Sequence, residues 1–251
     1  MNTFQLVKEI IKQPQVLKPY QPILLLSHMR ANTSLAGHIL GNHPDINGYY
    51  EMHIGYHSWK SFFRQRLIFA EQHRLSSKAT YMFDKVLHNE HYISTSLLNN
   101  NKTKTLISLR APETTIPSIV RLYSKVNPTH EFNSVEGATK YYLSRIQKLK
   151  NFANLLDDFY YFDAEDLRNN TMQCLSGITE YLELESLLTP EFKSQTLTSA
   201  KRVGDSSGNL DAGKIKSFTA DYNNFDWSHA DIELLREKYN VSRELLQSRS
   251  R

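Results

Sequence analysis

The stretch PILLLSHMRANTSLAGHIL, residues 22–40, decides the fold because a polar turn joins its short apolar run to a helical pattern. The apolar run predicts a buried strand over residues 23–28, and the spacing of apolar residues after Thr33 predicts a helix that reaches about Gly41. A helix that starts directly after such a turn presents backbone N–H groups and the positive end of its dipole, and both attract anions. The stretch therefore predicts a site for phosphate or a related anion.

Short apolar runs alternate with helical patterns along the rest of the chain, and no internal repeat is found. Further strands are predicted at 46–51, 79–86, 103–110 and 158–167, and helices at 55–74, 111–126, 134–156, 171–184 and 228–246. This alternation is typical of a three-layer α/β/α fold, in which helices cover both faces of a central, mainly parallel sheet of about five strands. Ligands of such sheets bind beyond the carboxyl ends of the strands, where Arg30, Glu51, Lys85 and Arg110 fall.

The chain reads as one domain over residues 1–251, with a core at about 22–216 and a helical tail at about 228–247. A short amphipathic helix is expected at the N-terminus. The segment TSAKRVGDSSGNLDAGKIKSF, residues 198–218, is rich in Gly, Ser and Lys and predicts a long functional loop.

Composition excludes several classes of protein. Lys and Arg number 30 against 26 Asp and Glu, which gives a net charge of +4 that suits an anionic ligand but is no signature of nucleic-acid binding. The one cysteine, Cys174, rules out an internal disulfide, fits a reducing compartment and is expected to be a packing residue. Because no apolar stretch reaches the ~18–20 residues of a membrane helix and no secretory h-region is present, a cytoplasmic protein is expected.

The polar turn differs from the common phosphate loop G-x-x-x-x-G-K-[ST], because no lysine directly precedes its hydroxyl pair Thr33 and Ser34. A loop without that lysine suits a nucleotide with fewer 5′ phosphates. Alternatively, Thr33 and Ser34 are simply capping residues of the helix. A second stretch, ISLRAPETTIPSIVRLY, places Arg110 at a strand end and Ser118 eight residues later in the following helix, where the two side chains can converge on one phosphate.

These residues resemble the sulfotransferases that use 3′-phosphoadenosine 5′-phosphosulfate (PAPS). The family's (K/R)-S-G-T-(S/T) loop is matched by the five residues Arg30 to Ser34, with Ala31 in place of serine and Asn32 in place of glycine. Asn tolerates a left-handed φ better than most residues, so Asn32 is a plausible stand-in. The family's strand-end arginine and serine are matched by Arg110 and Ser118. Three further motifs follow in the family's order: HPDI at 43–46, EDL at 165–167, and GDSS at 204–207 with GKI at 213–215.

The resemblance implies a fold like that of P-loop nucleotide kinases and an enzyme that moves a sulfuryl group from PAPS to an acceptor by in-line transfer. The loop would hold the 5′-phosphosulfate, Arg110 and Ser118 the 3′-phosphate, and Arg30 and Lys85 would lie near the bridging oxygen. The cofactor-binding residues implied in this way are Arg30, Ala31, Asn32, Thr33, Ser34, Arg110, Ser118, Lys201, Arg202, Gly204, Ser206 and Lys214.

Two candidates compete for the general base that removes the acceptor's proton. Glu51 closes the predicted second strand, where many members of the family resemble one another in carrying a glutamate. His88 lies three positions after Lys85, one position out of register with the histidine of the cytosolic branch. We expect Glu51 to be the base. Asp163, Glu165 and Asp166 are expected to be structural.

Histidines 28, 53 and 57 also fall near strand ends and are expected to be mainly surface or packing residues. The aromatic series Tyr49, Tyr50, Tyr56, Trp59, Phe62 and Phe63 is expected to be largely core, in part lining an acceptor pocket. No Cys/His or carboxylate cluster has the ligand spacing of a metal site, so no metal is expected.

Two other functions stay open at this point. One is a P-loop kinase or NTPase, and the other is a non-catalytic module that binds polyanions. The acceptor could be a sugar, a lipid, a peptide or a small metabolite, and the sequence leaves its identity and the oligomeric state open.

Overall fold

Five parallel strands form one sheet in the computed structural model, which describes residues 3–193, 195, 213, 215 and 221–251. They are β1 (Gln21–Leu26), β2 (Ile46–Asn47), β3 (Tyr81–Val86), β4 (Lys104–Leu109) and β5 (Tyr160–Asp163), and their order in the sheet is β2-β3-β1-β4-β5. All six residues of β1 pair with β3, and its last four pair with β4. The carboxyl ends of these three strands therefore lie side by side at the centre of the sheet.

Helices connect the strands and cover the sheet. Those of the described residues are α1 (Thr3–Lys12), α2 (Thr33–Asn42), α3 (Trp59–Ala70), α4 (Thr95–Leu98), α5 (Pro112–Val126), α6 (Val135–Leu155), α7 (Asp166–Asn169), α8 (Thr171–Leu182) and α9 (Ile232–Arg249), with short 3-10 turns at Pro14–Leu17 and Glu131–Asn133.

The sheet is the middle of three layers because successive side chains of a strand point to opposite faces. Leu24 and Leu26 of β1 belong to an apolar cluster that includes buried residues of α3, α5, α6 and α9. Ile23 and Leu25 belong to a second cluster with α2 and α8. Burial of each such side chain contributes about 1.5–3 kcal/mol. The predicted α/β/α fold with about five parallel strands is confirmed.

The second strand is shorter than predicted, because only Ile46 and Asn47 pair with β3. Gly48 has φ 94°, and a Cβ at this position would lie 2.3 Å from the carbonyl oxygen of Phe83. The chain thus turns out of the sheet at Gly48, past the β3 backbone. Glu51 consequently lies in an irregular segment beyond β2, and the prediction of a strand over 46–51 is wrong beyond Asn47.

Two other predicted elements are too long. The aromatic pattern at 55–74 forms a helix only from Trp59 to Ala70, and the fifth strand ends at Asp163, after which Asp166–Asn169 form α7. The remaining strands and helices agree with the prediction to within a few residues at each end. The predicted loop at 198–218 falls mostly outside the described residues.

Cys174 is a packing residue, as predicted. Its side chain is buried on α8 in the second apolar cluster, and burial raises the pKa of the thiol to about 12. The thiol is therefore protonated at neutral pH. Among the described residues, every helix is too short or too polar to cross a membrane.

Candidate active site

The loop between β1 and α2 has a backbone conformation that few residue types adopt. Arg30 and Asn32 have φ 65° and 54°, in the left-handed region. The expectation that Asn32 takes the conformation of a glycine is thereby confirmed. The Asn32 Nδ2 donates to the carbonyl oxygen of Ala164, 2.7 Å away, and makes no cap hydrogen bond to α2. Asn32 therefore anchors the loop and leaves the first N–H groups of α2 to other acceptors.

Ser34 and Lys85 meet at the start of α2. The Lys85 Nζ donates to the Ser34 Oγ at 3.1 Å, and the Lys85 side chain, which comes from β3, is buried. Thr33 is buried beside it. Since helix capping does not require a lysine at the serine hydroxyl, this contact favours an anion site over the capping-only interpretation.

Arg30 of the same loop, Arg110 after β4 and Ser118 of α5 form a second group of polar side chains. The Arg30 Nε donates to the Ser118 Oγ at 2.9 Å, and the Arg110 Nη1 donates to the Arg30 carbonyl oxygen at 2.7 Å. The strand-end arginine and the helix serine predicted from the sequence are thus brought together through Arg30. The guanidinium of Arg30 contacts the Ser118 hydroxyl and that of Arg110 contacts the Arg30 backbone, so that two neighbouring guanidinium groups and one hydroxyl are available as donors for a phosphate.

Glu165 lies behind this group. Its Oε1 is 3.7 Å from the Arg110 Nε and accepts a hydrogen bond from the Ala111 N–H at 3.3 Å. Burial raises the pKa of Glu165 and lowers that of Arg110. Glu165 therefore positions Arg110, in agreement with the structural role expected for it.

His28 is a fixed link between β1 and β4, not a ligand of the site. The ring is fully buried, its Nε2 accepts the Arg110 backbone N–H at 3.0 Å, and its Nδ1 lies 2.9 Å from the Met29 carbonyl oxygen. Because Nε2 is an acceptor, the proton is on Nδ1 and is donated to Met29. Burial lowers the pKa of His28 to about 3, so the ring is neutral at physiological pH.

Glu51 is a buried carboxylate in the segment after β2. In the sheet, β3 with Lys85 lies between β2 and the strands β1 and β4 that precede Arg30 and Arg110. Glu51 and Arg110 are therefore on opposite sides of Lys85. Its Oε1 is 3.4 Å from the Leu87 N–H and 3.7 Å from the His53 Nδ1. The chain around it is fixed by Asp84, whose Oδ1 accepts the N–H groups of Met52 at 3.0 Å and Lys85 at 2.8 Å. This fixed carboxylate satisfies the geometric requirement for a general base better than a freely rotating surface acid would.

Histidines surround Glu51. His88 lies with its ring 5.5 Å from that of Tyr141 and 6.3 Å from that of His91, and burial lowers the pKa of His88 while the charge of Glu51 opposes that shift. The rings of His53 and His91 are 5.8 Å apart. His57, by contrast, stacks on the exposed Tyr92.

The aromatic series after β2 divides into two parts. Tyr49, Tyr50, Tyr56 and Phe62 are buried, as expected of core residues, whereas Trp59 is about half exposed. An acceptor pocket along this series stays a prediction.

Helix α6 supplies three positioning side chains that the sequence did not reveal. The Tyr141 OH accepts the Met29 N–H and donates to the Leu87 carbonyl oxygen, both at 2.8 Å, and the Tyr142 OH donates to the Arg110 carbonyl oxygen at 2.8 Å. Arg145, which is fully buried, donates to the carbonyl oxygens of Ser27 and Val86 and to the Asn89 Oδ1. These side chains hold the ends of β1, β3 and β4 together. The sequence shows only a Tyr-Tyr pair and an arginine at helical spacing. The same pattern also occurs on helices whose side chains face solvent, so it does not predict these contacts.

Two acidic residues near β5 are structural, as expected. Asp163 forms a bidentate ion pair with Arg243 of α9, with distances of 2.8 and 2.5 Å, and Asp166 accepts a hydrogen bond from Asn170 in the turn of α7. The predicted cofactor residues Lys201, Arg202, Gly204, Ser206 and Lys214 lie outside the described residues.

Comparison with solved structures relates this fold to a known one. The chain superimposes on the sulfotransferase domain of the Synechococcus PCC 7002 olefin synthase with a TM-score of 0.61 and 16% identity, over 88% of this chain and 95% of that domain. It also superimposes on the sulfotransferase STF9 from Mycobacterium avium with a TM-score of 0.55 and 11% identity, over 97% and 81% of the two chains. No protein-family model matches the sequence, and no curated protein matches it either. Over most of its length, the chain therefore has the P-loop-like α/β fold of sulfotransferase domains.

Proposed function

We propose that the protein is a PAPS-dependent sulfotransferase that acts on a hydroxyl or amine acceptor. The observation that carries the proposal is the convergence of Arg30, Arg110 and Ser118 beside the β1–α2 loop. This donor set occurs in a fold that is shared with sulfotransferase domains. Phosphate is the ligand class that such a group recognises best.

The residues present fit the 3′-phosphate of such a nucleotide. The Arg110 Nε is a buried N–H without a hydrogen-bond partner among the described residues, although the Glu165 carboxylate is nearby. A buried donor without a partner is costly, and a phosphate oxygen would satisfy it. The sequence placed Arg30 near the bridging oxygen, but its contact with Ser118 favours the 3′-phosphate, which leaves Lys85 as the cation for the transferred group.

Residues at the start of α2 would bind the other end of the nucleotide. The first N–H groups of α2, the hydroxyls of Thr33 and Ser34 and the Lys85 ammonium all suit a 5′-phosphate. When bound, PAPS would supply the sulfuryl group. Lys85 would stabilise the negative charge on the phosphate oxygen whose bond to sulfur breaks.

Glu51 would accept the acceptor's proton while the acceptor oxygen or nitrogen bonds to sulfur. Its burial and its fixed surroundings support this role. His88 is the second candidate, since its lowered pKa keeps the ring neutral and able to take a proton. Sulfuryl transfer from labelled PAPS to a library of sugars, lipids and small metabolites, with Glu51→Gln and His88→Gln in parallel, distinguishes the two: the variant that loses turnover but keeps nucleotide affinity identifies the base.

The first test is a calorimetric titration of 3′-phosphoadenosine 5′-phosphate (PAP) without magnesium. We expect the wild type to bind PAP, and Arg110→Ala to lose about 2 kcal/mol, or about 30-fold in affinity. The matched control is Arg121→Ala, which removes an exposed arginine from the helix that carries Ser118 and should bind PAP as the wild type does. Failure of the wild type to bind PAP, or an equal loss in both variants, would overturn the proposal.

The same samples address the other two functions. Magnesium-dependent turnover of ATP would assign a phosphotransferase instead. Salt-sensitive binding of heparin that persists in the double variant Arg110→Ala, Glu51→Gln, together with no PAP binding, would assign a polyanion-binding module.

A further inference from the structure

Three potential metal ligands meet next to the proposed base. Suitable atoms of Glu51, His53 and His91 all lie within 4.8 Å of one another. The Glu51 Oε1 and His53 Nδ1 are already 3.7 Å apart. Donor atoms of a tetrahedral Zn²⁺ site with bond lengths near 2.0–2.1 Å lie about 3.3 Å apart, so modest side-chain movements would close this group on an ion.

The fold, not the local sequence, creates this group. Tyr56 and Ile93 form an isolated parallel bridge, in which the Tyr56 N–H donates to the Tyr92 carbonyl oxygen at 2.7 Å and the Ser94 N–H donates to that of Tyr56 at 2.9 Å. This pairing brings the segment that contains His91 alongside the one that contains Glu51 and His53. The ligand spacing searched for in the sequence could not detect it.

His91 adds an independent observation. Its Nε2 is a buried atom that has no hydrogen-bond partner among the described residues. A buried imidazole nitrogen without a hydrogen-bond partner is unfavourable unless a ligand binds to it. A neutral imidazole nitrogen is the commonest metal ligand in proteins.

We propose that Glu51, His53 and His91 bind a transition-metal ion of the Zn²⁺ type, with its fourth position open to water or another ligand. Two imidazoles and one carboxylate suit Zn²⁺ better than Mg²⁺ or Ca²⁺, which take oxygen ligands. The half-exposed His53 makes the site accessible from solvent.

The consequence for activity rests on the proposed function. The carboxylate that ligates the ion is the group that would take the acceptor's proton. Metal binding and base catalysis therefore exclude each other, and the ion would act as an inhibitor.

The test uses the untagged full-length chain and Co²⁺, whose visible absorption intensifies in a tetrahedral site. We expect one Co²⁺ per chain, displaced by Zn²⁺. Removing even an outer-shell partner of a metal costs about 10- to 100-fold in affinity, so His91→Ala and His53→Ala should each weaken binding by at least about 10-fold. The matched control is His57→Ala, a nearby histidine outside the group, which should bind Co²⁺ as the wild type does. Circular dichroism verifies that each variant is folded. Because His53 is exposed to solvent, His53→Ala removes a ligand without disturbing the core and tests the site even if His91→Ala does not fold.

Absence of the cobalt band in the wild type, or equal binding by wild type, His53→Ala and His91→Ala, would overturn the metal site. PAP titration of the same samples separates the two proposals. Binding of Co²⁺ without binding of PAP would support the metal site and contradict the sulfotransferase function. Binding of PAP without binding of Co²⁺ would contradict the metal site and leave the proposed function standing. Once an acceptor is known, Zn²⁺ should inhibit the wild type while His91→Ala, which retains Glu51, is insensitive to Zn²⁺ at the same concentration.

Discussion

At the residue scale, Asp84 is an acid held inside the sheet. Its side chain is fully buried in β3, and besides two backbone N–H groups it accepts the Tyr56 OH at 2.5 Å. Burial raises the pKa of Asp84 to about 7, and the charge of Glu51 acts in the same direction, although the three hydrogen bonds act in the opposite direction. Asp84 fixes the irregular segment that carries Glu51.

This pKa makes stability depend on pH. In the unfolded chain Asp84 titrates near its ordinary value of about 4, so between about pH 4 and 7 the unfolded state releases a proton that the folded state keeps. The free energy of unfolding should therefore fall as pH rises through this window and level off above it. Asp84→Asn, which is neutral throughout, should lack this contribution, so that its stability relative to the wild type rises by on the order of a few kcal/mol between pH 4 and 8.

Urea unfolding of both proteins at a series of pH values measures this difference directly. Titrating groups that do not interact with Asp84 are common to the two chains and cancel in the comparison. Parallel curves of unfolding free energy against pH would show that Asp84 titrates normally.

Single residues differ in how far the sequence reveals them. The left-handed Asn32 could be predicted, because it stands where the loop that the sequence resembles has a glycine, and Asn tolerates that conformation better than most residues. Asp84 could not be assigned a role, since a charged residue at the end of an apolar strand has the same appearance whether it meets water or buried N–H groups. The distinction depends on the chain beyond Gly48, which turns back over β3.

At the scale of elements, α6 fixes the edge of the sheet where the site lies. Arg145 is a buried guanidinium whose three nitrogens each donate a hydrogen bond, to the carbonyl oxygens of Ser27 and Val86 and to the Asn89 side chain, at or just after the ends of β1 and β3. Burial lowers the pKa of Arg145 to about 10, which still leaves it charged at neutral pH.

Arg145→Met should destabilise the protein by about 3 kcal/mol, because it removes three hydrogen bonds of a buried guanidinium, two of which go to the buried carbonyl oxygens of Ser27 and Val86. The free energy of unfolding of Arg145→Lys should lie between those of the wild type and Arg145→Met, since an ammonium keeps the charge but lacks the planar set of donors. The control is Lys148→Met, an exposed position on the same helix, which should stay within about 0.5 kcal/mol of the wild type. Denaturant unfolding measures all three, and an Arg145→Met protein as stable as the Lys148→Met control would contradict this role of α6.

Elements with long, regular patterns were predicted well, and those that depend on tertiary contacts were not. The apolar runs of β1, β3 and β4 are unambiguous because both faces of these strands are buried. The run at 46–51 is also buried throughout, yet Gly48 ends the strand where its backbone passes close to Phe83. A strand pattern records burial, and the residues after Gly48 are buried without being paired.

At the scale of the whole molecule, the site combines the loop after β1, the strand ends of β3 and β4 and the helix α5. The nucleotide we propose would contact all of them at once. Ligands that bind only the folded state stabilise it by RT ln(1 + [L]/Kd), which is about 2.7 kcal/mol at a hundredfold excess over Kd.

PAP should therefore raise the midpoint of urea unfolding of the wild type, and at the same concentration it should raise that of Arg110→Ala much less. Adenosine 5′-monophosphate is the matched ligand control, because it lacks the 3′-phosphate for which Arg110 is proposed. Equal stabilisation by the two nucleotides would contradict a 3′-phosphate site.

The sequence revealed the side of the site proposed to bind the nucleotide better than the side proposed to bind the acceptor. Arg30, Ser34, Lys85, Arg110 and Ser118 lie in regular elements or directly beside them, and the resemblance named all five. The neighbours of Glu51 come from irregular segments joined by the bridge of Tyr56 to Ile93, and no local pattern predicts such pairing.

The hydrogen bond from Asn32 to Ala164 has a consequence for synthesis of the chain. The loop that begins the candidate site is made early, but its anchor is supplied by a carbonyl group far later in the sequence. A nascent chain that stops short of β5 contains the loop and lacks the partner that fixes it. We expect nucleotide binding to appear only after the ribosome has released the residues around Ala164, so that a stalled or truncated product competes poorly for the nucleotide.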